Sequence, residues 1–318
     1  MIRRQLLTHL SLAVGYAPSA GAFLFASGVT PPASARPPRS AFSPDVQRQL
    51  QLPENKIDTG VAALTFGKEV YPHIDVQAYS RKIDDMVSEA RFWLLRYARQ
   101  NDPESIIRAL NTYYHKSYGV RYDKSPDGRN KRENYFMHHI LDTGEGQCLT
   151  IPMLYMAVAQ RLGQPVFAVS APEHYFLRFA DPRLKEQNIE LTGEAGYSSD
   201  EEYAFNLNVS PKAIQSGAYL RTLNRRQFLG VLLMQNAIAF AERGDVDRAI
   251  RYLEKAAEID PKDVYFTKNL QVMWMRKSKA ATTHELVSEY REKAFRYFLK
   301  AEEMGWTRDP DANTRRKQ

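Results

Sequence analysis

The chain has 318 residues, of which 43% are hydrophobic and 25% are charged. This composition is that of a globular protein, and the length allows two domains with a buried core. The formal net charge is +7, but the basic residues are dispersed and form no stripe with interleaved aromatic residues. We therefore expect no nucleic-acid partner. The only cysteine of the sequence, Cys148, excludes an intramolecular disulfide and a cysteine-cluster metal site.

Residues 1–35 have the composition of a secretory leader. Arg3 and Arg4 precede a mostly apolar span, which ends before two prolines and a run of small residues. This order is typical of a signal peptide, and an uncleaved anchor or a disordered leader is the alternative. We expect an exported or periplasmic protein, with the cytoplasm as the alternative location. No later segment has the ~20 apolar residues that span a bilayer, so we expect no membrane contact beyond such an anchor.

Residues 36–55 are rich in Pro, Arg, Ser and Gln and are predicted to be a linker. From Asp75 onward, apolar residues recur at intervals of three and four, which describes one face of a long amphipathic helix. Asp102-Pro103 is a start signal for a second helix. A charged loop at 124–132 is expected to border the site, and residues 134–141 are predicted to form another short helix.

Cys148 follows a glycine-containing loop and begins an apolar helical run that ends at Gly163. The amides and the dipole at a helix N-terminus stabilise a thiolate, which makes the thiol a better nucleophile. Residues 166–171 are predicted to form a strand, and His174 begins the next strand after a short turn. A cysteine at a helix start with a histidine on a following strand is the arrangement used in thiol acyl transfer.

Residues 188–192 alternate as a third strand should. Helices followed by antiparallel strands predict an α+β domain over residues 56–210. The adjacent His138 and His139 do not favour a metal site, because neighbouring side chains on a helix diverge by about 100°. We therefore expect no metal and no cofactor, and we expect one of these two histidines to line the cleft.

A second, all-helical domain is predicted over residues 226–306, after a linker at 211–225 and before a disordered tail at 307–318. Residues 230–263 carry small and apolar side chains at the offsets of a tetratricopeptide repeat. The residues at those offsets are Asn236, Ala237, Phe240, Gly244, Ala249, Ile250, Leu253, Ala256, Ala257 and Pro261. A looser second unit covers 263–306. Two such units cannot cap a long solenoid, so we expect them to pack on the preceding domain or on a partner.

The central stretch resembles the transglutaminase-like superfamily, specifically its SirB1-like branch. The motifs that carry the resemblance are Gly144, Gly146-Gln147-Cys148, Leu154-Tyr155, Arg161-Leu162-Gly163, Pro165-Val166, Pro172, His174, Phe176 and Arg178. Upstream Tyr71-Pro72 and Ile74-Asp75, and the downstream repeats, are similar to that branch as well. The resemblance extends over residues 60–305. It implies a papain-like or transglutaminase-like α+β core, with helices on a small antiparallel sheet, followed by an all-α tetratricopeptide helical hairpin domain.

The resemblance also implies roles for individual residues. Cys148 is the expected nucleophile and His174 the expected base. The third group of the family, usually Asp, lies on the strand after the histidine, and Glu190 occupies the matching position. A carboxylate there orients the imidazole and stabilises its charged form. Asp181 is the second choice for this role and Asn188 the third.

Further residues are assigned to the cleft. Gln147 is a candidate to stabilise an oxyanion through its side chain, with the backbone amide of Cys148 as the other donor. Asn134 and His139 are also predicted to lie in the cleft. Leu149 stands where transglutaminases often have an aromatic residue after the cysteine, so the ring must come from elsewhere.

The function implied is that of a thiol-dependent acyl-transfer enzyme, an amidase, peptidase or transferase that acts on a peptide or protein amide through a cysteine thioester. Hydrolysis and amine transfer use the same triad, so the acceptor and the substrate stay open. The SirB1-like branch also includes chains without the cysteine. The alternative is therefore a catalytically silent transglutaminase-like scaffold whose tetratricopeptide repeats bind a protein partner.

Overall fold

A computed structural model describes residues 42–100, 102–185, 187–192 and 199–306. The helices are α1 (Pro44–Gln51), α2 (Thr59–Val70), α3 (Val76–Tyr97), α4 (Pro103–Thr112), α5 (Met137–Thr143), α6 (Thr150–Arg161), α7 (Asp200–Asn206), α8 (Pro211–Ser216), α9 (Arg225–Glu242), α10 (Val246–Ile259), α11 (Val264–Ala280) and α12 (His284–Glu303). The strands are β1 (Arg121–Tyr122), β2 (Glu145–Gly146), β3 (Val166–Ala171), β4 (His174–Phe179), β5 (Asn188–Ile189) and β6 (Thr222–Leu223). The predicted leader at 1–35 and tail at 307–318 lie outside the described residues. Among the described residues, no helix combines the length and hydropathy that crossing a bilayer requires.

Helices α3 and α4 begin where the sequence places them. The Asp75 side chain accepts hydrogen bonds from the backbone N–H groups of Gln77 and Ala78, both at 3.0 Å, and so caps α3. Pro103 occupies the first turn of α4, where its missing N–H costs no hydrogen bond. These two helices are therefore fixed by local sequence.

The main sheet is antiparallel and has the strand order β5, β4, β3, β6. Strands β3 and β4 form a hairpin in which Ala171 faces His174, so the turn consists only of Pro172 and Glu173. This register places His174 directly after the turn. The third strand, β5, ends at Ile189 and is therefore shorter than the predicted 188–192.

Helix α6 lies at the centre of the core. Its residues from Thr150 to Ala159 are all buried, and it packs against α2, α3, β3 and β4. A helix that is apolar on every face is stable only when it is covered on every side. At its C-terminal end, Arg161 donates hydrogen bonds to Asp58 and Asp84, both at 2.8 Å. Helix α6 is thus a fixed support for the loop that precedes it.

The four C-terminal helices form two packed pairs, α9 with α10 and α11 with α12. Helix α9 also packs on α2, where the Asn236 side chain donates to the Phe66 carbonyl at 2.7 Å. At Gly230 an added Cβ would lie 2.9 Å from the Phe266 ring, so the close approach of α9 and α11 needs glycine there. Residues 211–225 hold α8 and β6, and β6 pairs with β3. The C-terminal helices are therefore joined directly to the rest of the core, and their assignment to tetratricopeptide repeats stays a prediction.

Candidate active site

Cys148 lies in the turn before α6 and is partly exposed. The helix begins at Thr150, two residues after the predicted start. The Thr150 hydroxyl accepts the Gln147 N–H at 3.1 Å, which closes the turn around the cysteine. At Gly146, an added Cβ would lie 2.9 Å from the Ile140 side chain, so the loop passes the core too closely for a larger residue. The thiol is therefore held at the N-terminal end of the most buried helix.

The β3–β4 hairpin reaches this thiol. The Cys148 Sγ lies 3.9 Å from the Glu173 carbonyl oxygen in the turn. The thiol also contributes to the raised pKa of His174, the residue that directly follows Glu173. The structure thus brings together the cysteine before α6 and the histidine that begins β4.

His174 is bonded to Glu190. Its Nε2 atom lies 2.7 Å from the Glu190 Oε2 atom, and the two side chains are 13% and 14% exposed. Because Nε2 faces the carboxylate, Nδ1 is the ring nitrogen left for the thiol. The rings of Phe176 and Tyr203 stack beside the imidazole, with centroids 6.4 Å and 6.1 Å away. The histidine is therefore oriented by one hydrogen bond and confined by two aromatic rings.

The Glu190 carboxylate has three further donors. It accepts the Thr192 N–H at 2.8 Å, the Thr192 hydroxyl at 2.6 Å and the Tyr203 hydroxyl at 2.7 Å. Thr192 and Tyr203 were not predicted from the sequence. Thr192 could have been found from its place two residues after Glu190, within reach of that carboxylate. For Tyr203 the sequence offers only the capping box formed by Ser199 and Glu202, which predicts the start of its helix but not its contact with Glu190.

The electrostatics of this pair favour two charges. Burial acts to raise the pKa of Glu190, but His174 and the hydrogen bonds from Thr192 and Tyr203 lower it to about 2. Burial acts to lower the pKa of His174, but the Glu190 carboxylate and the Cys148 thiol raise it to about 10. Both shifts favour the charged forms, an imidazolium beside a carboxylate. A positive charge beside a cysteine favours the thiolate, which is the nucleophilic form.

The two alternatives for the third group lie in other contacts. Asp181 accepts from the Arg183 side chain at 2.9 Å, and this arginine lowers the pKa of the carboxyl to about 2. Asn188 accepts from the Arg178 side chain at 2.9 Å. The carboxylate that contacts His174 in the described structure is that of Glu190.

Gln147 and Asn134 both lie beside the loop that follows β1. The buried Gln147 side chain donates to the Asp123 carbonyl at 3.1 Å. The buried Asn134 side chain donates to the Asp123 carboxylate at 2.7 Å and to the Gly128 carbonyl at 2.6 Å. The hydrogen bonds shown for both side chains therefore hold this loop in place, and neither is directed at the thiol.

His139 is partly buried on α5, where its carbonyl accepts the Thr143 hydroxyl at 2.8 Å. Its neighbour His138 is buried against Tyr71 and Phe136, and this burial lowers the pKa of His138 to about 4. Across the described ranges, no group of three or more His, Cys, Asp or Glu side chains is arranged to hold a metal ion.

Two half-buried tyrosines lie on segments around the cysteine loop, Tyr122 on β1 and Tyr135 just before α5. Burial raises the pKa of Tyr122, and burial raises that of Tyr135 to about 12, in both cases with a contribution from Cys148. Leu149 itself is buried and 6% exposed. Tyr122, opposite Gly146 in the β1–β2 pair, is thus an aromatic residue that lies beside the loop carrying Cys148.

Comparison with known families identifies the superfamily of part of the chain. Residues 77–233 match the family described as Transglutaminase-like superfamily. The chain therefore contains a transglutaminase-like superfamily domain over these residues. The matched span includes Cys148, His174 and Glu190.

Among curated proteins, the chain is similar to the UPF0162 proteins of two strains of Xylella fastidiosa, Temecula1 and 9a5c. Each is 26% identical over 123 residues, which cover 36% of this chain and 40% of the relative. The chain thus matches less than half the length of these relatives. Among solved structures, it is similar to menin, in a crystal structure described as revealing the binding site for the Mixed Lineage Leukemia (MLL) protein. That match has a TM-score of 0.43 and 12% identity, covers 80% of this chain and 67% of that chain, and supports no inference.

Proposed function

We propose that this protein is a thiol-dependent acyl-transfer enzyme that acts on a peptide or protein amide. Cys148 is the nucleophile, His174 the general acid and base, and Glu190 the group that orients the imidazole. The observation that carries the proposal is the 2.7 Å hydrogen bond between the His174 Nε2 atom and the Glu190 carboxylate. This bond supports a role for the other ring nitrogen in proton transfer with Cys148.

The proposed reaction has two halves. The Cys148 thiolate attacks the amide carbonyl carbon, and the carbonyl oxygen becomes an oxyanion that accepts a hydrogen bond from the Cys148 backbone amide. The His174 imidazolium gives its Nδ1 proton to the leaving amine, the C–N bond breaks, and a thioester remains. Water or a second amine then attacks the thioester. His174 takes the proton of that nucleophile, and the C–S bond breaks to restore the thiolate.

Glu190 is one methylene longer than the aspartate that is usual in the family. Its hydrogen bonds from Thr192 and Tyr203 hold this longer side chain in one position. The carboxylate therefore fixes the imidazole orientation without the freedom that an unsupported glutamate has. In triads of this kind, the orienting group selects the tautomer and stabilises the charged ring.

The test is detection of the acyl-enzyme. The full chain is incubated with a peptide library, quenched with acid, and digested for mass spectrometry of the Cys148 peptide. We expect a thioester adduct in the wild type and in His284→Ala, a control histidine that is exposed at the start of α12. We expect none in Cys148→Ala and a strongly reduced amount in His174→Ala. Addition of a primary amine separates the two acceptors, because amine transfer yields a new amide and hydrolysis an acid.

A second function, protein binding by a catalytically silent scaffold, is favoured by one surface observation. On α12, Phe295 is 58% exposed and Leu299 is 42% exposed. Residues four apart lie on the same helix face, so they present a joint apolar surface to a partner. Its partner would be a helix or peptide with a complementary apolar face.

Two sets of substitutions distinguish between catalysis and scaffolding. Capture of a partner that survives Cys148→Ala but is lost in the double variant Phe295→Asp/Leu299→Asp supports scaffolding. Turnover that is lost in Cys148→Ala and kept in the double variant supports catalysis. Deletion of residues 226–306 is not a suitable test, because α9 is buried against α2 and its loss would expose the core.

A further inference from the structure

The turn that carries the histidine is strained. Glu173 has a φ angle of 56°, in the left-handed region that residues with a Cβ rarely adopt. A proline followed by a residue with positive φ is the pattern of a type II turn, which favours glycine at this second position. Here that position holds a glutamate whose carbonyl lies 3.9 Å from the Cys148 sulfur. A strained residue thus lies between the thiol and His174, and something must hold it in place.

Tyr265, near the start of α11, bonds to both sides of this turn. Its hydroxyl donates to the Ala171 carbonyl at 2.7 Å and accepts the backbone N–H of Glu173. The hydroxyl thus bonds to the residue before the turn as a donor and to the second turn residue as an acceptor.

The position of Tyr265 is itself fixed. The Asp263 side chain caps α11 by accepting the Tyr265 N–H at 2.8 Å. The Tyr265 ring stacks on Tyr175 of β4, with centroids 6.1 Å apart, and meets the edge of Tyr219 at 5.9 Å. The ring contacts are independent of the hydroxyl, so removal of the oxygen alone should leave the packing intact.

We propose that Tyr265 is a positioning residue of this site, which holds the Pro172–Glu173 turn in its left-handed conformation and thereby fixes His174 against Cys148. The catalytic consequence rests on the proposed function, whereas the positioning does not. The matched transglutaminase-like region ends at residue 233. A residue of the C-terminal helices thus completes a site that the matched region otherwise contains.

The perturbation is Tyr265→Phe in the full chain. It leaves the Glu173 N–H and the Ala171 carbonyl without the tyrosine hydroxyl, so Glu173 can relax out of the left-handed region. We expect hydrogen exchange of the Glu173 amide, followed by NMR, to become about 10-fold faster or more. We also expect the pH titration of the His174 ring to move toward lower pH, because the imidazole leaves its place beside Glu190 and the thiol.

Two further variants make the test specific. Tyr252→Phe removes a tyrosine hydroxyl that donates to Glu69 at 3.0 Å, away from the turn, and should leave the His174 titration unchanged. Glu173→Gly adopts positive φ without strain, so the double variant Tyr265→Phe/Glu173→Gly should regain much of the wild-type titration.

Equal Glu173 exchange in the wild type and Tyr265→Phe would overturn the positioning role, as would an unchanged His174 titration. A failure of the proposed function has a different signature. If the wild type forms no acyl-enzyme but Tyr265→Phe still alters the Glu173 exchange and the His174 titration, the positioning stands and the acyl-transfer proposal falls.

Discussion

Glu190→Gln removes the negative charge beside His174 and keeps the shape of the side chain. The wild-type carboxylate accepts hydrogen bonds from His174 at 2.7 Å, Tyr203 at 2.7 Å and the Thr192 N–H at 2.8 Å. A glutamine has one acceptor oxygen and one donor NH₂ group, so at least one of these donors must face another donor. The substitution therefore disrupts both the charge and the hydrogen-bond pattern at the histidine.

The size of the effect follows from the pKa of His174. Burial acts to lower this pKa, and the carboxylate and thiol raise it from 6.5 to about 10. Of these two groups, the Glu190 carboxylate makes the larger contribution. Without the carboxylate, burial is opposed only by the thiol, so we expect the pKa of His174 to fall toward or below its ordinary value. A neutral ring cannot protonate the leaving amine, and we expect kcat/KM to fall by about 10²–10⁴-fold.

The assay combines NMR titration of the histidine rings with turnover of an amide substrate. Asp181→Asn is the matched control, because it removes a carboxylate that is bonded to Arg183 and not to His174. The reasoning is refuted if His174 in Glu190→Gln still carries its proton at neutral pH and turnover equals that of the control.

Three further predictions concern stability and support of the site. The lowered pKa of Glu190 adds stability that is present above about pH 4.5 and is lost as the pH falls toward about 2. The raised pKa of His174 adds stability that is present below about pH 6.5 and is lost as the pH rises toward about 10. The free energy of urea unfolding should therefore contain the largest contribution from this pair between about pH 4.5 and 6.5, and His174→Ala should make it less dependent on pH. Tyr203→Phe removes one donor to the carboxylate and should lower the free energy of unfolding by about 1–3 kcal/mol and reduce turnover; unchanged turnover would show that this donor is dispensable. Asn236→Ala leaves the Phe66 carbonyl between α9 and α2 without its side-chain donor and should cost about 1–3 kcal/mol in urea unfolding, with an unchanged alkylation rate of Cys148. A changed rate there would mean that the helical packing acts on the site.

The elements that local signals determine were predictable from the sequence. Asp75 caps α3, and Pro103 begins α4. The apolar run between Gly163 and Pro172 became β3 with its predicted bounds, Val166–Ala171. The third strand, β5, ends at Ile189, before the end of its alternating pattern, and the side chain of the next residue, Glu190, bonds to His174. A contact across 16 residues is not encoded in the alternation of one segment.

In the candidate site, too, contacts between residues that are distant in sequence were not predictable. The pattern and the family resemblance selected Cys148, His174 and Glu190, which the structure places together. Tyr203 and Tyr265 were not predicted, since their hydroxyls reach partners 13 and 92 residues away in sequence, at Glu190 and Glu173. The same holds for the side-chain amides of Gln147 and Asn134, because they donate to Asp123, which lies 24 and 11 residues away in sequence.

The pH dependence of Cys148 alkylation by iodoacetamide tests the central claim most directly. Free cysteine has a pKa near 8.5, so about 0.3% of it is thiolate at about pH 6. If the His174 charge stabilises the thiolate, Cys148 should react about 10–100-fold faster than free cysteine at that pH, and His174→Ala should abolish the difference. A Cys148 that reacts no faster than free cysteine, with His174→Ala making no change, would contradict the existence of an activated thiolate.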